Sequence, residues 1–163
     1  MLPCKRLLVI FIVMMLGVSC APKPAVHEGG AAVAVWDLDD LSPSSTVRPD
    51  LGELLSAQII EALKKRGNPA VVERQRLLMA LEELRLGTTR LVDETTRLRL
   101  GQVVGARWMI FGSYQIIGGK MRIDLRVVEV ETGKVKKAVE TTTSAEQLQG
   151  WIDATHRLAE GLF

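Results

Sequence analysis

The chain has 163 residues, 47% of them apolar, which is enough for one hydrophobic core and too little for two domains of ordinary size, about 100 to 200 residues each. Its 21 basic residues face 19 acidic ones, and removing Lys5 and Arg6 with the N-terminal apolar stretch leaves 19 against 19. A chain this balanced lacks the concentrated cationic field of a general nucleic-acid binder, so no nucleic-acid partner is expected.

Lys5 and Arg6 precede an uncharged apolar run of twelve residues, Leu7 to Val18, which ends at Ser19 and Cys20. That order of charge, apolar run and small residues is the order of an export signal, and the run is short of the about 20 residues that cross a bilayer. Small residues leading into a cysteine resemble the bacterial lipobox, which implies that residues 1–19 are a lipoprotein signal peptide and that Cys20 carries the lipid. Cleavage there removes Cys4 and excludes an intramolecular disulfide. Residues 20–30 hold two prolines and two glycines without apolar periodicity; they read as a tether whose coil spans about 15 to 20 Å. Residues 31–163 are then the folded domain.

The first predicted strand is Ala31-Ala-Val-Ala-Val-Trp-Asp-Leu38, apolar enough to be buried on both faces. A polar loop, Asp39 to Arg48, leads to Pro49-Asp50-Leu-Gly-Glu53, where Asp50 and Glu53 have the spacing of a capping box. Leu51, Leu54, Leu55, Ile59, Ala62 and Leu63 share one face of the helix that follows, and Gly67-Asn-Pro69 stops it near Arg66. Ala70-Val-Val72 reads as a short second strand. Glu73 to Leu86 is a second helix with Leu77, Leu78, Leu81 and Leu84 on one side and Gly87 as its stop, and Asp93 to Val104 is a third.

Between Arg107 and Thr143 the period becomes alternating, and Gly118-Gly119 and Thr132-Gly133 divide three antiparallel strands. In the middle one Met121, Ile123, Leu125 and Val127 are apolar at odd positions, then Val128 and Val130 at even ones, which predicts a bulge near Val127-Val128. Arg122, Asp124 and Arg126 are expected to face water, and Lys136 and Lys137 to guard an edge strand. A last helix, Ala145 to Leu162, offers Leu148, Trp151, Ile152, Leu158 and Leu162 to the sheet. The order β-α-β-α-α-β-β-β-α describes an α/β (α+β) fold: a single mixed sheet with a C-terminal antiparallel meander and helices packed mainly on one face.

Asp37, Asp39 and Asp40 form the one tight carboxylate group, where the first strand leaves the sheet, a common place for ligands in α/β proteins. They are the candidate loop for a ligand or partner; no metal site is expected, because the spacing and glycine of a calcium loop are missing. The two histidines, His27 and His156, lie in no catalytic motif, and His156 could face Glu160 one turn on. The glycines do not form a phosphate loop, so neither cofactor nor catalytic residues are expected. Lys64-Lys65-Arg66 complements the carbonyl end of its helix. Trp36, Trp108 and Trp151 read as core or rim residues.

Three segments, Val33-Ala-Val-Trp-Asp-Leu38, Val71-Val-Glu-Arg-Gln-Arg-Leu-Leu78 and Leu100-Gly-Gln-Val-Val-Gly-Ala-Arg-Trp-Met-Ile-Phe-Gly-Ser-Tyr114, resemble the CsgG-like (curli-assembly) periplasmic domain. The resemblance continues from Gly118 to Gly133 and covers roughly residues 31 to 143. Similar domains occur in the curli secretion channel, in FlgO-like flagellar lipoproteins, in a lipoprotein activator of peptidoglycan synthases and in TolB, so the fold does not choose among functions. The resemblance implies an outer-membrane-anchored periplasmic lipoprotein, a non-enzymatic adaptor or assembly component of a secretion, flagellar or cell-wall machine. Its partners would be envelope proteins, with homo-oligomers open. Ala21 after the cysteine matches an outer-membrane address. Two alternatives stand beside it, a subunit of a curli-type secretion complex and a small-ligand-binding domain that uses the Asp37–Asp40 loop. The tight turns and the 4% aromatic content argue against membrane-spanning strands of its own.

Overall fold

The computed structural model describes residues 32–43, 48, 50–67, 69–84 and 92–163. The signal segment, Cys20, the tether and Gly87 lie outside the described residues. The element order is β1 (Val33–Val35), β2 (Asp39–Asp40), α1 (Leu51–Arg66), α2 (Arg74–Glu83), α3 (Glu94–Val103), β3 (Trp108–Ile117), β4 (Lys120–Glu129), β5 (Val135–Ser144) and α4 (Leu148–Glu160). The sheet runs β1-β3-β4-β5 with β2 also on β3; β1 and β2 are parallel to β3, and β3, β4 and β5 form the expected antiparallel meander. This is the mixed-sheet α+β fold in the order read from the sequence.

The predicted second strand shrinks to one bridge, Val71 beside Val33. It is held by hydrogen bonds from Val33 N to Ala70 O and from Val72 N to Val33 O, both 2.8 Å.

The helices divide between the two sheet faces rather than packing mainly on one. On one face Leu55, Ile59 and Leu63 of α1 and Trp151 and Leu158 of α4 pack with Val33, Val35, Ile110, Ile123 and Leu125. On the other, Leu77 and Leu81 of α2 and Leu100 of α3 pack with Ala34, Trp36, Met109, Phe111 and Val128. Alternation sends neighbours in β1 to opposite sides, and both sets are buried because a helix layer covers each side. Each such aliphatic side chain contributes about 1.5 to 3 kcal/mol relative to exposure.

The same division explains β4. Its pairing with β3 is unbroken from Trp108–Glu129 to Ile117–Lys120, while its pairing with β5 shifts register between Val127 and Val128. The bulge sits at the expected place, yet it does not turn β4 over. Val127 belongs to the α1/α4 core and Val128 and Val130 to the α2/α3 core, so the apolar parity changes because the second helix layer begins there.

The capping box at α1 does not form. Asp50 has φ 66° and makes no side-chain cap hydrogen bond, because a capping side chain reaches the helix N–H groups from an extended backbone, not a left-handed one. Glu53 turns instead to Arg74, 3.3 Å away. The start of α1 is fixed by close approach to the first strand: Leu38 N donates to Gly52 O at 3.3 Å, and a Cβ on Gly52 would lie 2.1 Å from Leu38 O. Asp93 does cap α3, accepting from Thr96 N at 2.9 Å, and Gly67 ends α1 in the left-handed conformation.

Candidate functional site

The chain that carries the three aspartates does not leave the sheet: Asp39 and Asp40 form β2 beside β3, and Asp37 lies in the short stretch between β1 and β2. Val35 is opposite Ile110 and Asp39 opposite Ser113, so four steps of the first strand match three of β3 and one extra residue bulges out between them. After the bulge β2 continues along β3, and Leu41 N donates to Tyr114 O at 2.9 Å. The segment read as loop from Asp39 is therefore strand for two residues.

The bulge scatters the carboxylates. Asp37 meets Arg74 of α2 in an ion pair and accepts from Ser56 Oγ of α1 at 3.0 Å, joining a helix from each layer. Asp39 accepts from Arg97 of α3 through both guanidinium nitrogens, at 3.0 and 3.2 Å, a bidentate pair. Asp40 accepts from Ser42 N at 2.8 Å. Burial pushes the Asp40 carboxyl up, but hydrogen bonds from Ser42, Tyr114 and the Arg48 backbone outweigh it and hold the group below the usual carboxylate range. Among the described residues no three His, Cys, Asp or Glu side chains come together as metal ligands.

Beside Asp39 the α2/α3 layer ends and the sheet lies open. The opening is a groove of about 540 Å³ lined by residues that include Asp39, Leu41, Phe111, Ser113, Arg126 and Glu140. Arg122 joins Asp124 at 2.7 Å and also pairs with Glu140, and Arg126 reaches Glu94 at 2.8 Å. The Arg126 guanidinium lies 5.7 Å over the Phe111 ring. Asp124 and Glu140 push the Arg122 pKa further up. The outward-facing Arg122, Asp124 and Arg126 of the sequence reading are thus a lattice of charge on a half-covered sheet. Leu41, 59% exposed, and Ile117, 56% exposed, are the large apolar side chains at its margin.

Alternation located the β4 part of this surface. The contributions of Leu41, Phe111, Ser113 and Glu140 depend on pairing across strands, which no single stretch of sequence displays. Arg74 and Arg97 were also missed, although Arg74 stands inside the Val71–Leu78 segment.

The remaining candidates have structural partners. His156 Nε2 lies 3.0 Å from Gln58 Oε1 of α1 rather than facing Glu160. Lys64 pairs with Glu73 and Lys65 with Glu61, each at 2.8 Å. Arg66 donates to the Glu160 carbonyl at 2.7 Å and so caps α4. Trp36 and Trp151 are buried. No helix among the described residues is long and apolar enough to cross a membrane.

Solved structures share this fold at low identity. The LpoB C-terminal domain from Escherichia coli is similar with TM-score 0.60 and 17% identity, over 83% of this chain and 93% of that one. Lipoprotein GNA1162 from Neisseria meningitidis gives 0.53 and 14%, over 70% and 80%. The PelC dodecamer from Paraburkholderia phytofirmans gives 0.51 and 14%, over 82% and 86%. No curated protein matches the chain significantly. The family model described as curli production assembly/transport component CsgG matches residues 21–117. With more than half of its length matched, including β1, the ion-paired Asp37 and Asp39, and β3, the chain belongs to the CsgG family.

Proposed function

We propose that this protein is a periplasmic lipoprotein, anchored through Cys20 in the outer membrane, that works as a non-enzymatic adaptor or assembly component of an envelope machine. The carrying observation is the open groove, whose wall is a set of mutually satisfied ion pairs around a shallow apolar floor. Such a surface suits a protein partner, for which charge sets register while the floor excludes water. It suits bond chemistry poorly, since Ser113 has no histidine beside it among the described residues and His156 is occupied on the helix layer of the opposite face. Membership of the CsgG family supports the assembly role, and the likeness to a lipoprotein and to the LpoB domain agrees with it.

The test is the intact mass of the membrane-extracted protein beside a Cys20→Ala variant, joined to photocrosslinking from Ala138 in native envelopes. An acyl mass on the wild type alone and a discrete crosslinked partner are expected. An unmodified protein, or no partner, would overturn the reading. A homo-oligomeric variant of the role draws on the exposed β5 edge and on the dodecameric PelC; native mass spectrometry of the extracted protein separates it from a monomeric adaptor.

A further inference from the structure

The end of the sheet from which the tether departs has its own chemistry. Ala32 O accepts from Arg107 N at 2.8 Å and from Trp108 N at 3.1 Å. The chain leading back to Cys20 therefore leaves beside these two side chains. Trp108 is half-buried, and two cations lie over its ring: the Arg107 guanidinium at 5.1 Å and the Lys136 ammonium at 5.5 Å. Because β5 is antiparallel to β4, its first residues return to this same end. They bring exposed Lys134, Val135, Lys136 and Lys137 to the same end of the sheet as Arg107, on the far side of β4, and Lys136 reaches back to Trp108.

Four cations stand there against Glu129, the last residue of β4, and Glu131 of the turn that follows, and Glu129 already accepts from Thr132 Oγ1 at 2.7 Å. Several charges elsewhere on the described surface close into pairs, among them Lys64 with Glu73, Lys65 with Glu61, Arg122 with Asp124 and Arg126 with Glu94. Arg107, Lys134, Lys136 and Lys137 appear in none of the ion pairs identified.

We infer that this end is a membrane-contact face: Arg107, Lys136 and their neighbours engage the phosphates of anionic phospholipids, and Trp108 sits at headgroup level. Trp is favoured at membrane interfaces, where its apolar ring and polar N–H are both satisfied, and Lys and Arg extend past it to the headgroups. Each cation near an anionic leaflet favours the bound orientation by about fivefold. The inference rests on the anchored reading above. The occupant follows from the tether's point of departure, since a lipid on Cys20 brings this end of the domain nearest the bilayer. Apposition here leaves the groove over the middle of β3, lined by Phe111, Ser113 and Glu140, clear of the contact end, where a partner can reach it.

The experiment uses the full chain extracted from membranes and reconstituted into phosphatidylcholine vesicles with or without phosphatidylglycerol, with brominated acyl chains as quencher. The Trp108 signal is the difference between the wild type and Trp108→Phe. Quenching of Trp108 that requires phosphatidylglycerol, is lost at high salt, and disappears in an Arg107→Glu/Lys136→Glu variant with unchanged circular dichroism is the expected result. Quenching that ignores lipid charge, or survives the double reversal, would overturn the inference, as would envelope crosslinking that captures a protein at Trp108 instead. If mass analysis finds no lipid on Cys20, the anchored reading fails separately; charge-dependent quenching of that unmodified chain on added vesicles still decides the contact face.

Discussion

At the scale of single residues, the aspartates read as a candidate loop act as joints. Asp37 ties the bulge to Arg74 and to Ser56, whose side chain is fully buried. Removing the carboxylate leaves, among the described residues, the part-buried Arg74 guanidinium with Glu53 alone, at 3.3 Å, and the Ser56 hydroxyl with the Glu53 carbonyl alone, at 2.8 Å, so Asp37→Ala is expected to destabilise the domain by about 1 to 2 kcal/mol. Urea unfolding of the single variants and of Asp37→Ala/Arg74→Met measures the coupling, which should be at least about 1 kcal/mol. Asp40 makes a prediction in pH. Its folded pKa lies below the ordinary 3.8, so its contribution is fully present above that value and is lost as pH falls through it toward the folded pKa. Asp40→Asn should flatten the acid limb of the stability profile below about pH 4 and leave the neutral limb's slope unchanged.

At the scale of elements, the contact between α1 and the first strand is set by a missing side chain. The Leu38 carbonyl occupies the place of a Cβ on Gly52, and a backbone atom held between the paired segments β1 and β2 has little room to move. Gly52→Ala is expected to cost about 3 kcal/mol. At Gly112 the Cβ would meet Leu125 Cδ2 at 2.5 Å and Asp124 O of β4 at 2.9 Å; the leucine can rotate but the paired carbonyl must shift slightly, so Gly112→Ala should cost about 2 to 3 kcal/mol in the same thermal melts. The hairpin between β3 and β4 belongs to this scale too. Gly118 and Gly119 have φ 56° and 74°, the two left-handed positions of a type I′ turn, and the dipeptide announced that turn in the sequence.

At the scale of the whole molecule, β1, β3 and β4 contribute to both cores, and neither helix layer has a sheet of its own. The two layers should therefore unfold together. Trp36 reports the α2/α3 core and Trp151 the α1/α4 core, where its Nε1 donates to Ser144 O at 2.8 Å. Unfolding curves of Trp36→Phe and Trp151→Phe, each followed by the tryptophans that remain, are expected to show a single transition at every wavelength, and far-UV circular dichroism should coincide with it.

Much of this molecule was determined by sequence alone. Local patterns decided the helices, because capping, periodicity and glycine stops act within a few residues: Asp93 caps α3 and Gly67 ends α1 as their types require. Alternation decided the meander and the outward charges of β4. The tertiary structure alone decided what depends on distant partners. Both faces of the sheet are covered, so the parity change at Val128 marks the second layer and not an inverted strand. The bulge after Val35 carries Asp37 and Asp39 to arginines on different helices, 37 and 58 residues away. The groove and the cationic end exist because antiparallel pairing lays β5 beside β4, and a local pattern carries no information about what will be laid next to it.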